Sequence, residues 1–317
     1  MKEYGRIDTT ADITADTGKG LVIKNPFIAA SGTCGYGTEY SSITPPENWG
    51  ALVLKTVTPQ PRKGNAPPRT CETDSGMLNS IGLANAGLER FILEKLPEFT
   101  SLHPGACAVA SIAGESAEEF EMLAAKIGAC KGVSAIELNF SCPNVARGGI
   151  HFGADTVSAA EAVIGCRKAA AVPIWVKISP AASDPVKIAA AAIEAGADAI
   201  VAGNTMPGMV IDIKNFRPLL GNTTGGLSGP AIFPVALRTA YIIAKALPGI
   251  RLIGCGGIDC AEKAIQFILA GCCAVEIGTA VFRSPDILEY IEEGLVKWMQ
   301  AQGFTSLKDF TGKALKS

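Results

Sequence analysis

Residues 134–153 read "SAIELNFSCPNVARGGIHFG". The first six form a strand candidate, a short apolar run interrupted by Glu137. Polar groups then crowd in: Asn139, Ser141, Cys142 and Asn144 fall within six residues, with Pro143 fixing the backbone between them. A glycine-bearing segment follows. A strand ending in two carboxamides, a hydroxyl and a thiol is how a buried sheet presents chemistry at one edge.

The same unit repeats along the chain. Strand candidates are "PFIAAS" (26–31), "ALVLKT" (51–56), "ACAVAS" (106–111), "SAIELN" (134–139), "PIWVKI" (173–178), "DAIVAG" (198–203), "RLIGCG" (251–256) and "AVEIGT" (274–279). Their near-continuous hydrophobicity predicts strands covered on both faces, as in a parallel sheet. Helical segments lie between most of them. Ser116 and Glu119 have capping-box spacing ahead of an apolar face of Phe120, Leu123, Ala124 and Ile127. Asp184–Pro185 reads as a helix start, and Gly196 after "AAAAIEA" as a stop. "AEKAIQFILAG" (261–271) is a further helix.

Eight strands alternating with helices predict a (β/α)₈ barrel, with an open doubly wound sheet as the alternative. Residues 57–90 and 205–228 are too long for plain turns, and both leave the C-terminal ends of strands, where barrels build their sites. With no internal repeat or linker, residues 1–317 are expected to form one domain.

Composition narrows the function classes. Of 317 residues 48% are hydrophobic and 18% charged, which predicts a large core. The net charge of −2 without a basic block argues against nucleic acid. No apolar run approaches the roughly 20 residues of a membrane span. The opening "MKEYGRIDTTADITADTG" has acidic residues and no apolar stretch, so a cytoplasmic protein is expected. The ten cysteines are scattered without a CxxC, and there are two histidines, His103 and His151. No metal site is expected, and most thiols read as small buried hydrophobes.

Polar residues gather at strand ends. Lys55 and Thr56 end the second strand, Lys177 lies near the end of the fifth, and Asn204 and Thr205 follow the sixth. Gly256–Gly257 and Gly278–Thr279 follow the seventh and eighth. In a barrel these converge on one mouth. A lysine at a strand end is otherwise a solvated charge, and a glycine pair a tight turn. Glycines at both places where barrels commonly seat phosphate favour a phosphate ligand, with "GGLSGP" (225–230) adding backbone amides. Asn79, Asn139, Asn144 and Asn204 offer donors and acceptors without charge, as a planar amide-rich ring requires. Cys142 is then a candidate base, able to take a carbon-bound proton while a flavin accepts hydride. Acyl transfer with His151 as its partner is the other reading.

The sequence resembles the class 1 dihydroorotate dehydrogenases along nearly its whole length. The likeness is carried by "NFSCPN" (139–144), "MLNSIGLANAG" (77–87), "VKISP" (176–180), "GGLSGPAI" (225–232), "CGGI" (255–258) and "IGTAVF" (277–282). "ASGTCGYGTEY" (30–40) and "NVARGGIHFG" (144–153) are similar to the 1B subclass.

The resemblance implies an FMN barrel that oxidises dihydroorotate to orotate, with Cys142 as the base at substrate carbon 5. It implies that Asn79, Asn139, Asn144, Asn204 and Thr205, with the backbone of Ser80, Ile81, Gly82 and Leu83, hold the substrate. Lys55 would lie near both ligands and Lys177 against the flavin ring. Ser31, Thr56, Ser111, Asn139, Gly203, Gly229, Gly256, Gly257, Gly278 and Thr279 would contact FMN. Ser111 departs from the family, which usually has an asparagine there. The resemblance also implies a homodimer within a heterotetramer, the partner subunit carrying FAD and a [2Fe–2S] cluster and passing electrons to NAD. A fumarate-linked 1A enzyme, a pyrimidine-reducing barrel and a non-catalytic ligand-binding barrel are the competing readings.

Overall fold

The computed structural model describes residues 7–15, 18–140 and 152–316. Eight parallel strands close into a ring: β1 (Phe27–Ala29), β2 (Ala51–Val53), β3 (Ala108–Ile112), β4 (Val133–Asn139), β5 (Ile174–Ile178), β6 (Ala199–Ala202), β7 (Leu252–Cys255) and β8 (Ala274–Ile277). Each pairs with the next, and β8 returns to β1 with Val275 opposite Phe27. Closure makes this a (β/α)₈ barrel and excludes the open sheet. All eight strands fall on the expected segments, overrunning them only by one residue at Val133 and one at Ile112. Their burial on both faces accounts for the unbroken apolar runs: Phe27, Ile28, Ala51, Ile136, Trp175 and Val201 are all fully or almost fully buried.

The helices wrap the ring. The first begins at Gly87–Arg90, widens into a π turn over Phe91–Lys95 and continues as α1 (Leu96–Leu102). Then come α2 (Ala117–Gly128), α3 (Thr156–Ala169), α4 (Pro185–Glu194), α5 (Phe233–Ala246), α6 (Ala261–Leu269) and α7 (Ile287–Gln302). At α2, Ser116 accepts a hydrogen bond from the Glu119 amide, as its spacing predicts. The Glu119 carboxylate, however, accepts from the Glu115 amide at 2.7 Å, one residue earlier than a full capping box requires. Asp184 caps α4 through the Lys187 amide, and Gly196 ends it with φ +104°.

Two additions close the ends of the ring. A short hairpin pairs Ala11–Asp12 with Val22–Ile23, buries Ile13 and Ile23, and is tied to the segment before β7 by Arg251 Nε donating to the Thr14 carbonyl. At the opposite end the two long connections meet. Thr70–Thr73, Gly76–Asn79, Gly225–Ser228 and Met206–Gly208 form one four-stranded antiparallel sheet, with Gly226 opposite Asn79. Beside it, Phe140 stacks on Phe152 at 5.5 Å, and Phe120 of α2 packs edge-on against both. Aromatic contacts of this kind add about 0.5–1.5 kcal/mol each beyond area burial. They hold the two ends of the connection after β4 against the same helix.

Candidate active site

A cavity of about 1860 Å³ opens at the C-terminal ends of the strands, under the antiparallel sheet. Lys55, Thr56, Asn139, Lys177, Asn204 and Thr205 reach it from the barrel. Asn79, Ser80, Ile81, Gly82 and Leu83 reach it from the sheet and the turn after it. Ser31, Gly229, Gly256, Gly257, Gly278 and Thr279 complete its described wall among the expected residues. Segments more than 200 residues apart in sequence thus share one chamber. Cys142 and Asn144 lie outside the described residues.

The amides are organised by one another. Asn204 Nδ2 donates to Asn139 Oδ1 at 3.4 Å, while Asn204 Oδ1 accepts from the Thr205 amide at 2.8 Å. Asn79 Nδ2 donates to the Gly226 carbonyl at 3.3 Å, across the sheet pairing. Asn204 is held through both its nitrogen and its oxygen, Asn79 through its nitrogen, and all three carboxamides border the chamber. The turn at Ser80–Leu83 is held by Asn65, whose Nδ2 donates to Ser80 Oγ at 2.9 Å and to the Ser80 carbonyl at 3.2 Å. Asn65 carries no motif of its own, and its role emerges only from the folded turn.

Two lysines face the chamber in different electrical settings. Lys55 has no acidic partner among the described residues, and burial holds its amine below the usual lysine range. A desolvated cation in the same chamber as the hydroxyls of Ser31 and Thr56 is a seat for an anionic or electron-rich group. Lys177 is fully supplied: its ammonium lies 2.5 Å from Glu276 Oε2 and 3.7 Å from Glu137 Oε2, and both glutamate side chains are inaccessible to solvent. Burial pulls Lys177 down, but the Glu137 and Glu276 carboxylates outweigh it and carry the ammonium above the usual lysine range. These two glutamates were the main omission of the sequence reading. Their signal was a charge inside each of the otherwise apolar runs "SAIELN" and "AVEIGT".

Two expected residues sit behind the wall. Ser111 is fully buried and bonds Thr56 Oγ1 at 3.0 Å, and Thr56 in turn bonds Ser31 Oγ at 3.1 Å. Its hydroxyl communicates with the chamber through Thr56. Gly203 lets the end of β6 pass the Cys255 carbonyl, which a Cβ would meet at 2.3 Å. At Gly257 the reason for glycine is twofold: φ is +72°, and a Cβ would lie 2.7–2.8 Å from three atoms of Phe233.

Burial, and then the neighbouring Glu276, push Glu137 well above the usual carboxylate range. Such a group stabilises the fold fully only below its unfolded-state range near ~4.3, and the contribution is lost as pH rises towards its own raised range. Glu137→Gln, which needs no proton, is therefore expected to gain on the parent by up to about 1.4 kcal/mol per pH unit from pH 5 upward, levelling off once pH passes the raised Glu137 range. Unfolding midpoints of both proteins at pH 5, 6, 7 and 8 measure it; parallel curves contradict a raised Glu137.

The dihydroorotate dehydrogenase family profile matches residues 15–299. The chain is 44% identical over 293 residues to the "Dihydroorotate dehydrogenase B (NAD(+)), catalytic subunit" of Pelobacter propionicus, covering 92% of this chain and 95% of that protein. It is 45% identical over 292 residues, with the same coverages, to the protein of that name from Trichlorobacter lovleyi. Among solved structures, a DHODH from Eimeria tenella in complex with ferulenol superposes with a TM-score of 0.81 over 100% of this chain and 91% of that one; at 19% identity this is a likeness of fold. A profile match over most of the length, on a barrel whose mouth gathers the lysines and asparagines described above, means that the chain belongs to the dihydroorotate dehydrogenase family, among its B-type catalytic subunits.

Proposed function

We propose that this chain oxidises dihydroorotate to orotate in pyrimidine biosynthesis, as the catalytic subunit of an NAD-linked enzyme. The observation that carries the reading is the 44% identity over 92% of the chain to a B-type catalytic subunit. The chamber of fixed carboxamides and buried lysines supports it.

Membership of the family implies a flavin, and the residues present fit FMN. Gly256, Gly257, Gly278 and Thr279 would offer backbone for the phosphate, Ser31, Thr56 and Gly229 would add further contacts to FMN, and Lys177 would offer a buried cation to the ring. Lys55 serves both ligands. When bound, FMN supplies the hydride acceptor. Asn79, Asn139, Asn144, Asn204 and Thr205 hold the substrate, and the Ser80–Leu83 backbone borders it. Cys142 takes the proton from carbon 5 at its sulfur. The mouth sheet keeps water from the reacting face.

The fit at Gly257 makes a prediction. Gly257→Ala adds a left-handed penalty of ~1–2 kcal/mol and a clash with Phe233, so FMN affinity is expected to fall at least about tenfold. Fluorescence titration of FMN into flavin-depleted protein measures it, and unchanged affinity would remove Gly257 from the cofactor seat.

Electrons leave through a second protein. The chain lacks a GxGxxG dinucleotide fingerprint, since "GCGGI" (254–258) is followed by Asp259 where the last glycine of the motif would stand. FAD and a [2Fe–2S] cluster belong to a separate electron-transfer subunit that passes electrons to NAD, within a heterotetramer built on a homodimer of this chain in the cytoplasm. The test assays the purified chain alone with dihydroorotate and a dye, with NAD, and with fumarate. Dye reduction with negligible NAD reduction, restored by the partner subunit, is the expected result. Brisk NADH formation without a partner overturns the two-subunit reading, and brisk fumarate reduction moves the chain to the 1A subclass.

A further inference from the structure

The eight barrel strands contain only four titratable side chains: Glu137 on β4, Lys177 on β5, Cys255 on β7 and Glu276 on β8. All four belong to one cluster at the floor of the chamber. Register explains the convergence, because Ser111 pairs with Glu137 across β3 and β4, and Cys255 with Glu276 across β7 and β8. Strands β1, β2, β3 and β6 add no titratable group. Cys255 is a neutral thiol here: burial, against the pull of Lys177, raises it to about 12. Among the described residues, the charge balance of this cluster therefore rests on one ammonium and two carboxyls.

With both carboxyls ionised, the floor would hold a net negative charge with no access to solvent. An unmatched buried ion costs several kcal/mol, and two adjacent carboxyls relieve it by sharing one proton. The hydrogen-bond geometry agrees. Glu276 Oε2 contacts Lys177 at 2.5 Å, whereas Glu276 Oε1 and both oxygens of Glu137 have no well-formed hydrogen bond among the described residues, the Ser111 hydroxyl and the Cys255 thiol reaching Glu137 and Glu276 only weakly. One added proton supplies a donor where three buried acceptors stand together. Glu137, at 3.7 Å from the ammonium, is the carboxyl less committed to Lys177.

We propose that Glu137 and Glu276 share one proton, resting mainly on Glu137, and that this acid pair is the positioning device that holds Lys177 charged and fixed under the ligand. For the redox arm this rests on the reading of the chamber as a flavin site; the infrared arm below does not. The floor is then electrically neutral, and an electron-rich ligand above Lys177 meets no opposing charge.

The pair has a signature that ordinary salt bridges lack. If one proton is shared, Glu137→Gln leaves Glu276 ionised, and Glu276→Gln leaves Glu137 ionised, so either single variant keeps the floor neutral. Only the double variant strands Lys177 as an uncompensated cation. The first measurement is the infrared spectrum of the purified protein at pH 7, as isotope-edited differences between parent and each single variant. The expected result is a protonated-carboxyl band in the parent that both single variants lack. Its absence from the parent overturns the proposal, whether or not the protein carries flavin.

The second measurement is the midpoint potential of bound FMN, which reports the ratio of reduced to oxidised cofactor affinity. Each single variant is expected to change that ratio by less than about threefold, and the double variant to favour the reduced form by roughly fiftyfold, the effect of one unit charge about 7 Å away at an effective dielectric near 20. A single variant shifting the ratio as far as that would mean that both carboxyls are ionised, and would overturn the proposal. If the double variant does not fold, the single variants and the infrared band still decide. A protein that shows the band but binds no FMN would sink the flavin reading while leaving the shared proton standing.

Discussion

Cys142→Ala is expected to slow the reduction of bound flavin by dihydroorotate by about 10²–10⁴-fold while leaving the flavin in place. That range is what removal of a positioned base typically costs. Cys142 follows Asn139, the last residue of β4, by three positions in sequence, and the Asn139 carboxamide lines the chamber. Alanine keeps the backbone and removes only the proton acceptor. Cys142→Ser is expected to recover part of the rate at high pH alone, because a hydroxyl is much less acidic than a thiol. Stopped-flow absorbance at two pH values separates the cases. Reduction by the alanine variant as fast as by the parent would require a different base.

The largest expected effect on stability is at Lys177. Replacing it by methionine keeps the chain length and removes the ammonium, leaving Glu137 and Glu276 buried without a cation. Breaking a buried ion pair from one side costs about 3–5 kcal/mol. The sign of the pH dependence follows. Without the cation both carboxyls are best protonated, so the loss is smallest near pH 5 and grows as pH rises and each proton must be held against a more alkaline solvent. Denaturation curves of parent and variant at pH 5 and pH 8 test this, and an equal loss at both would contradict it. Lys177→Met/Glu137→Gln/Glu276→Gln, which removes all three titratable groups, is expected to recover much of the stability.

The strands were legible because a barrel strand is buried on both faces and therefore reads as an uninterrupted apolar run. The capped starts of α2 and α4 were legible because capping is local: Ser116 and Asp184 act within three residues of themselves. The mouth sheet was not. Its strands "TCET", "GMLN", "GGLS" and "MPG" have no alternating apolar pattern, and their pairing joins residues about 150 apart. The turn of π-helix at Phe91–Lys95 likewise has no sequence mark, since "FILEK" suits an ordinary helix. At the site, strand-end polarity located Lys55, Asn139, Lys177 and Asn204. It could not show that Ser111 is screened by Thr56, because both are small hydroxyl residues and only the barrel's curvature sets which one faces inward. Nor could spacing join Glu137 to Glu276, which come together only when the ring closes.

The sheet over the mouth makes two distant segments into one inherited part. Leu227 pairs with Leu78 and with Met206, and Asn79 pairs with both Thr70 and Gly226. A graft that imports residues 70–83 from a relative therefore imports half of a ladder, and its other half resides at 206–228. The two segments are a single unit of exchange, to be recombined together or left alone. Substrate range in chimeras of this family should follow the matched pair of segments, not either one by itself.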